Sequence, residues 1–157
     1  MMENKDYYVA YFDGCCEPTN PGGNMGIGAF ILNPERKRIF ERSEYIPASN
    51  LNFKTSNNVA EYLGVISLLT YFMNNNLHNE KIIICGDSKL VINQMSGTWN
   101  CNGGVYEKYY RKALLIRKQL TNVRFEWIPR DKNGPADELS KAGMIKAGCE
   151  FRIQPLV

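Results

Sequence analysis

Residues 6–45 read DYYVAYFDGCCEPTNPGGNMGIGAFILNPERKRIFERSEY. The first segment, 6–12, is apolar on both faces, the pattern of a central strand covered on each side. A polar turn from Cys15 to Gly23 follows. Two further strand-like runs, Ile27 to Leu32 and Arg38 to Tyr45, are joined by Asn33, Pro34 and Glu35, which reads as a hairpin loop. Together the three runs predict an antiparallel meander.

Downstream the pattern changes to alternating helix and strand. Asn57 or Asn58 can cap a helix through Met73, because Val65, Leu68, Leu69, Phe72 and Met73 recur at spacings of three and four, and Asn74, Asn75 and Asn76 end it. Ile82 to Cys85 predicts a short buried strand, Ser88 to Met95 a short helix, and Tyr106, Tyr109, Tyr110, Ala113, Leu114 and Leu120 another. Val123 to Ile128 supplies a fifth strand, and Pro135 to Ala147 a last helix before the tail CEFRIQPLV, whose Phe151, Ile153 and Leu156 are expected to dock on the domain. The expected fold is α/β, with a five-stranded mixed sheet in the order 3-2-1-4-5 flanked by helices. The 157 residues fit a single domain spanning 1–157.

A formal charge of +3 allows a polyanionic partner without demanding one. Five cysteines, Cys15, Cys16, Cys85, Cys101 and Cys149, show neither CxxC pairing nor companion histidines, so a reducing compartment is the simpler reading. The opening MMENKDYY is polar, and no run of about 18 apolar residues exists to span a bilayer, so a cytoplasmic location without membrane contact is expected. The one histidine, His78, lies in the loop NNNLHNE, which argues against a nucleophile-histidine triad.

Four acids stand out against this pattern. Asp13 closes the first apolar run, Asp87 closes the fourth strand, Glu61 lies on the buried stripe of its helix with Val65, Leu68 and Phe72, and Asp137 is in the first turn of the Pro-started helix. With the first and fourth strands adjacent and parallel, Asp13 and Asp87 stand together at the carboxyl end of the sheet. Each acid has a structural reading as a cap or helix-start residue; the coincidence of four favours a shared site. Crowded carboxylates on core-facing positions repel and have raised pKa values unless a cation compensates them. All-oxygen ligands favour Mg2+ or Mn2+, and two such ions about 3.5 to 4 Å apart can serve phosphodiester hydrolysis.

Four segments, YFDGCCEPTNPGG (11–23), TSNNVAEYLGVISLL (55–69), ICGDSKLVINQMSG (84–97) and WIPRDKNGPADELSKAG (127–143), resemble the motifs of the type 1 ribonuclease H family in order and spacing across nearly the whole chain. The resemblance implies an endonuclease that hydrolyses the RNA strand of RNA/DNA hybrids. Asp13 would bridge two Mg2+ ions, with Mn2+ as a substitute, and Glu61, Asp87 and Asp137 would complete the shells. One ion would activate water and the other stabilise the departing 3' oxygen, leaving a 5'-phosphate and a 3'-hydroxyl. Asn20, Asn57 and Asn58 match positions that touch the RNA strand, the last two near its 2'-hydroxyls. Thr55 and Ser56 match a phosphate pocket for the DNA strand, and Trp99 resembles an aromatic that packs on a deoxyribose.

Two departures narrow the resemblance. Arg130 stands in the loop before the last acid, where many members carry a histidine, and matches a subgroup with Arg there; because arginine hardly deprotonates, electrostatic help to the leaving phosphate is its expected role. The segment 97–112 is too short for the basic protrusion of several bacterial members, leaving grip to the main groove and to Lys108, Arg111 and Lys112. Subgroup members without the protrusion sometimes accept duplex RNA. No protein partner is evident, and a monomer is expected. The alternatives are a non-catalytic nucleic-acid-binding module of the same fold and a DNA-directed nuclease of the wider superfamily.

Overall fold

The meander, the parallel crossover and the last strand assemble into one sheet. A computed structural model describes residues 6–48 and 54–153. In chain order its elements are β1 (Tyr8–Glu17), β2 (Asn24–Leu32), β3 (Arg38–Ile46), α1 (Asn57–Asn74), β4 (Lys81–Gly86), α2 (Lys89–Met95), α3 (Glu107–Arg117), β5 (Asn122–Trp127), a 3-10 turn (Arg130–Lys132) and α4 (Gly134–Lys146). The sheet order is β3-β2-β1-β4-β5, as expected, with β1 antiparallel to β2 and parallel to β4.

The two faces of β1 enter different cores, which is why 6–12 lacks polar residues beyond its first position. Ala10 and Phe12 join Ile82, Ile84 and the α1 residues Val65, Leu68 and Phe72 in the main core. Val9 packs with Ile83 and Cys85, flanked by Tyr7 and Tyr11, on the other face. Strand β5 closes the parallel edge through Lys81↔Asn122 to Gly86↔Trp127. Among the described residues no helix is long and apolar enough to cross a membrane.

Several boundaries, and the tail, differ from the expected ones. The first strand does not end near Asp13: it continues through Cys15 and Cys16, which pair with Gly26 and Met25 of β2, so the turn begins after Glu17. Helix α1 is capped by Ser56 rather than Asn57 or Asn58; the Ser56 hydroxyl accepts the Val59 N–H at 3.0 Å. Helix α3 ends at Arg117, before Leu120. In the tail, Phe151 is buried and Ile153 is 85% exposed, so of these two expected anchors Phe151 docks and Ile153 does not; Leu156 lies outside the described residues.

Candidate active site

Three carboxylates meet where β1 and β4 part. The parallel pairing stops at Tyr11↔Cys85, whereas β1 and β2 stay paired through Asp13↔Gly28 to Glu17↔Asn24. Asp13 therefore has a strand on one side only, and Asp87 follows directly on the last residue of β4. Glu61, 3% exposed, comes from the second turn of α1. One oxygen from each of Asp13, Glu61 and Asp87 lies within 4.8 Å of the other two. Asp137, from the first turn of α4, approaches Asp13 closely enough for the two carboxyl groups to share a hydrogen bond.

Small residues make this approach physically available. A Cβ at Gly14 would stand 2.6 Å from the Ala60 carbonyl carbon and from the Glu61 nitrogen, so only glycine lets the start of α1 rest on β1. A Cβ at Gly28 would meet the Ala136 carbonyl oxygen at 2.3 Å, which is how α4 lies directly on β2. Ala136, Ser140 and Met144, spaced by four, are the buried face that α4 turns toward the sheet.

The electrostatics follow from crowding. Burial, then the charge of Asp87, then the hydrogen bond with Asp137 push the Asp13 carboxyl up to about 8, against a backbone hydrogen bond from Gly14 that favours the ionised form. Burial first, and then the charges of Asp13 and Asp87, hold Glu61 well above the usual carboxylate range, with Arg130 pulling it down. Buried Glu61 Oε2 has no hydrogen-bond partner among the described residues. An unpaired buried oxygen amid mutually repelling acids is what an oxygen-liganded divalent cation would satisfy, so the residues present fit such an ion.

The acids open into a cleft of about 710 Å³. Asn20 and Asn57 line it, and so does Arg130 on the 3-10 turn. The Asn20 side-chain oxygen accepts the Asn57 N–H at 2.9 Å, and the Gly22 N–H donates to the Thr55 carbonyl at 3.0 Å, fastening the β1–β2 turn to the start of α1.

The reverse transcriptase-like family model matches residues 11–143. The bifunctional protein Rv2228c of Mycobacterium tuberculosis is 32% identical over 128 residues, covering 82% of this chain and 33% of its own length. The solved N-terminal RNase H domain of Rv2228c, fused to maltose binding protein, superposes with a TM-score of 0.77 at 31% identity, over 90% of this chain and 96% of that one. The chain belongs to the type 1 ribonuclease H family. A further solved member, LC11-RNase H1 in complex with RNA/DNA hybrid, has a TM-score of 0.77 at 31% identity and covers 89% of this chain and 98% of its own. The chain spans about a third of the length of the curated mycobacterial relatives it matches.

Within this ribonuclease H domain, the expected site residues separate into two groups. Asp13, Glu61, Asp87, Asp137, Arg130, Asn20 and Asn57 share the cleft. Thr55 and Ser56 are instead buried beneath the start of α1, and the Ser56 hydroxyl is engaged as the helix cap. Asn58 is half-buried on α1, and Trp99, 46% exposed, lies on the segment between α2 and α3 with its backbone N–H donating to the Asn93 carbonyl; neither lines the cleft. His78 is in the turn between α1 and β4, away from the cleft, where its carbonyl accepts the Thr121 N–H.

Sequence reasoning missed two side chains of this ribonuclease H site. Asn133, 1% exposed, donates from Nδ2 to the Phe12 carbonyl at 2.9 Å and to Asp87 Oδ2 at 3.1 Å, tying the approach to α4 to both acid-bearing strands. It directly precedes α4, where an Asn reads as an ordinary cap, yet it makes no side-chain capping bond. Lys141 pairs with Asp137 at 3.1 Å. Its i,i+4 spacing from Asp137 was the available signal.

Proposed function

We propose that this domain, spanning residues 1–157, is a metal-dependent endonuclease that hydrolyses the RNA strand of RNA/DNA hybrids, leaving 5'-phosphate and 3'-hydroxyl ends. The carrying observation is the convergence of Asp13, Glu61 and Asp87 oxygens within 4.8 Å of one another around an unpaired, buried Glu61 oxygen. The hybrid substrate is supported by the likeness to LC11-RNase H1, solved in complex with RNA/DNA hybrid. Asp13, Glu61, Asp87 and Asp137 would hold two Mg2+ ions, or Mn2+ in their place, which when bound supply an activated water and neutralise charge on the leaving oxygen.

The chain's own groups then bind and orient. Asn133 fixes one Asp87 oxygen, leaving the other free to act as a ligand. Lys141 steadies Asp137 from the next turn of α4. Asn20 has its oxygen committed to the Asn57 N–H, so its amide NH2 is the group left to donate to the RNA strand. Asn57, beside it in the cleft, is suited to the 2'-hydroxyl, which both donates and accepts. The permanent charge of Arg130 at the cleft wall favours an anionic leaving phosphate rather than proton transfer. Asn58 and Trp99, outside the cleft, would flank the two strands, whereas Thr55 and Ser56 act from beneath by setting the start of α1. Five free cysteines fit a reducing, cytoplasmic setting.

The test is incubation of an end-labelled RNA/DNA hybrid with Mg2+, with Mn2+ and with EDTA. Cleavage of the RNA strand in either metal, absent in EDTA, is the expected result. An intact hybrid in both metals rejects the reading, and retained metal-independent binding would instead identify a binding module.

A further inference from the structure

The tail that follows α4 returns to the cleft. Helix α4 ends in a Schellman turn: Gly148, at φ 75°, donates its N–H to the Ile145 carbonyl, and Cys149 donates to the Met144 carbonyl. The reversal brings Phe151, 8% exposed, and Arg152 beside the far end of β1. Arg152 is held there by three hydrogen bonds: its backbone N–H to Glu17 Oε2 at 3.0 Å, Nε to the same oxygen at 2.9 Å, and one Nη to the Cys16 carbonyl at 2.8 Å. The other Nη is left without a protein partner among the described residues, and the side chain is half exposed in the same cleft as Asn20 and the acids.

We propose that Arg152 is a phosphate-binding residue for the RNA strand, placed on the wall of the cleft by the tail. This rests on the hybrid-nuclease reading above. Glu17 lies four residues beyond Asp13 on an extended strand, about 13 Å away along β1, so the phosphate Arg152 contacts is not the one being cut. Asn20, the residue suited to the RNA strand, lies in the turn that follows Glu17, and this places Arg152 on the RNA side. A guanidinium fixed on one edge and open on the other loses little freedom when an anion docks, and its fork matches phosphate oxygens. Lys141 is committed to Asp137, so it does not substitute for this contact.

The experiment measures hybrid affinity against salt in an Asp13→Asn background, where the strand stays intact, with Arg152→Ala and Glu17→Gln added singly. Arg152→Ala is expected to weaken binding several-fold and to lower the slope of log Kd against log salt by about one, the signature of one lost phosphate contact. Glu17→Gln, which keeps a side-chain oxygen to hold the guanidinium but removes the negative charge beside the docking phosphate, is expected to keep the slope and leave binding as tight or tighter. Single methylphosphonates along each strand then locate the contact: one RNA-strand position should abolish the difference in affinity that Arg152→Ala makes. Equal melting-temperature losses in both variants with unchanged slopes make Arg152 a structural tie only and overturn the proposal, as does mapping to the DNA strand. If the protein without these substitutions neither binds nor cuts hybrid, the hybrid-nuclease reading itself fails; if it does both and the slope is insensitive to Arg152, only this inference fails.

Discussion

Asp13 is where charge, burial and chemistry conflict most. With its carboxyl pushed up to about 8 in the folded chain and an unfolded value near 3.8, the metal-free folded state binds more protons than the unfolded one throughout that interval. Stability without metal is therefore expected to fall as pH rises from about 4 to about 8, at up to roughly 1.4 kcal/mol per pH unit from this group, and to level off above. Glu61 shifts in the same direction. Thermal melting in EDTA across this range checks the sign; a protein that grows more stable toward pH 8 would contradict it. Asp13→Asn is expected to abolish cleavage while raising the melting temperature in EDTA at pH 8, with hybrid binding retained. Asn133→Ala would strip the donor from the Phe12 carbonyl and Asp87; a loss of about 1 to 3 kcal/mol in denaturant unfolding is expected, with weaker metal binding by calorimetry. Asp13, Glu61 and Asp87 were legible because each ends or interrupts an apolar pattern, and Asp137 because it stands in the first turn of a Pro-started helix. Asn133 was not, since an Asn before a helix has an ordinary capping explanation and its real partners lie on strands distant in sequence.

Among the elements, the contact of α1 with β1 is the most sensitive. Gly14→Ala would drive a methyl group into the α1 backbone, so loss of several kcal/mol, or failure to fold, is expected, whereas Ser56→Ala should cost only about 1 kcal/mol through the lost cap. Urea denaturation of the two variants ranks them. The residue types and order of every strand and helix were readable from periodicity, but some boundaries were not. Thr55, Ser56, Asn57 and Asn58 are all polar, and three of them are strong cap formers; Ser56 takes the Val59 N–H, while the Asn57 N–H goes to Asn20, a tertiary contact no local pattern contains. Likewise β1 outruns its apolar segment because β2 continues to pair with it, and Cys15 and Cys16 carry no sequence alternation that announces a strand.

At the level of the molecule, the sheet order was accessible because a meander followed by alternating helix and strand leaves few right-handed arrangements. The contents of the cleft were only partly accessible: the tail wall depends on a helix-ending turn and on where β1 stops, and nothing in the local sequence marks Arg152. If divalent ions occupy the acid cluster, Mg2+ or Mn2+ should raise the melting temperature, by more at pH 8 than at pH 6, because the ions replace protons that the metal-free cluster retains. A metal-induced shift that is equal at both pH values would argue that the ions bind elsewhere.

The parting of β1 from β4 also has a kinetic side. The β1–β2 hairpin closes locally, while residues 8–11 must find residues 82–85 before Asp13 and Asp87 are neighbours. The like charges are thus kept apart until a long-range closure, a slow kind of step on topological grounds. Refolding of chelated protein should slow as pH rises, and Mg2+ should act as a folding accelerant only if it is captured before that closure is complete.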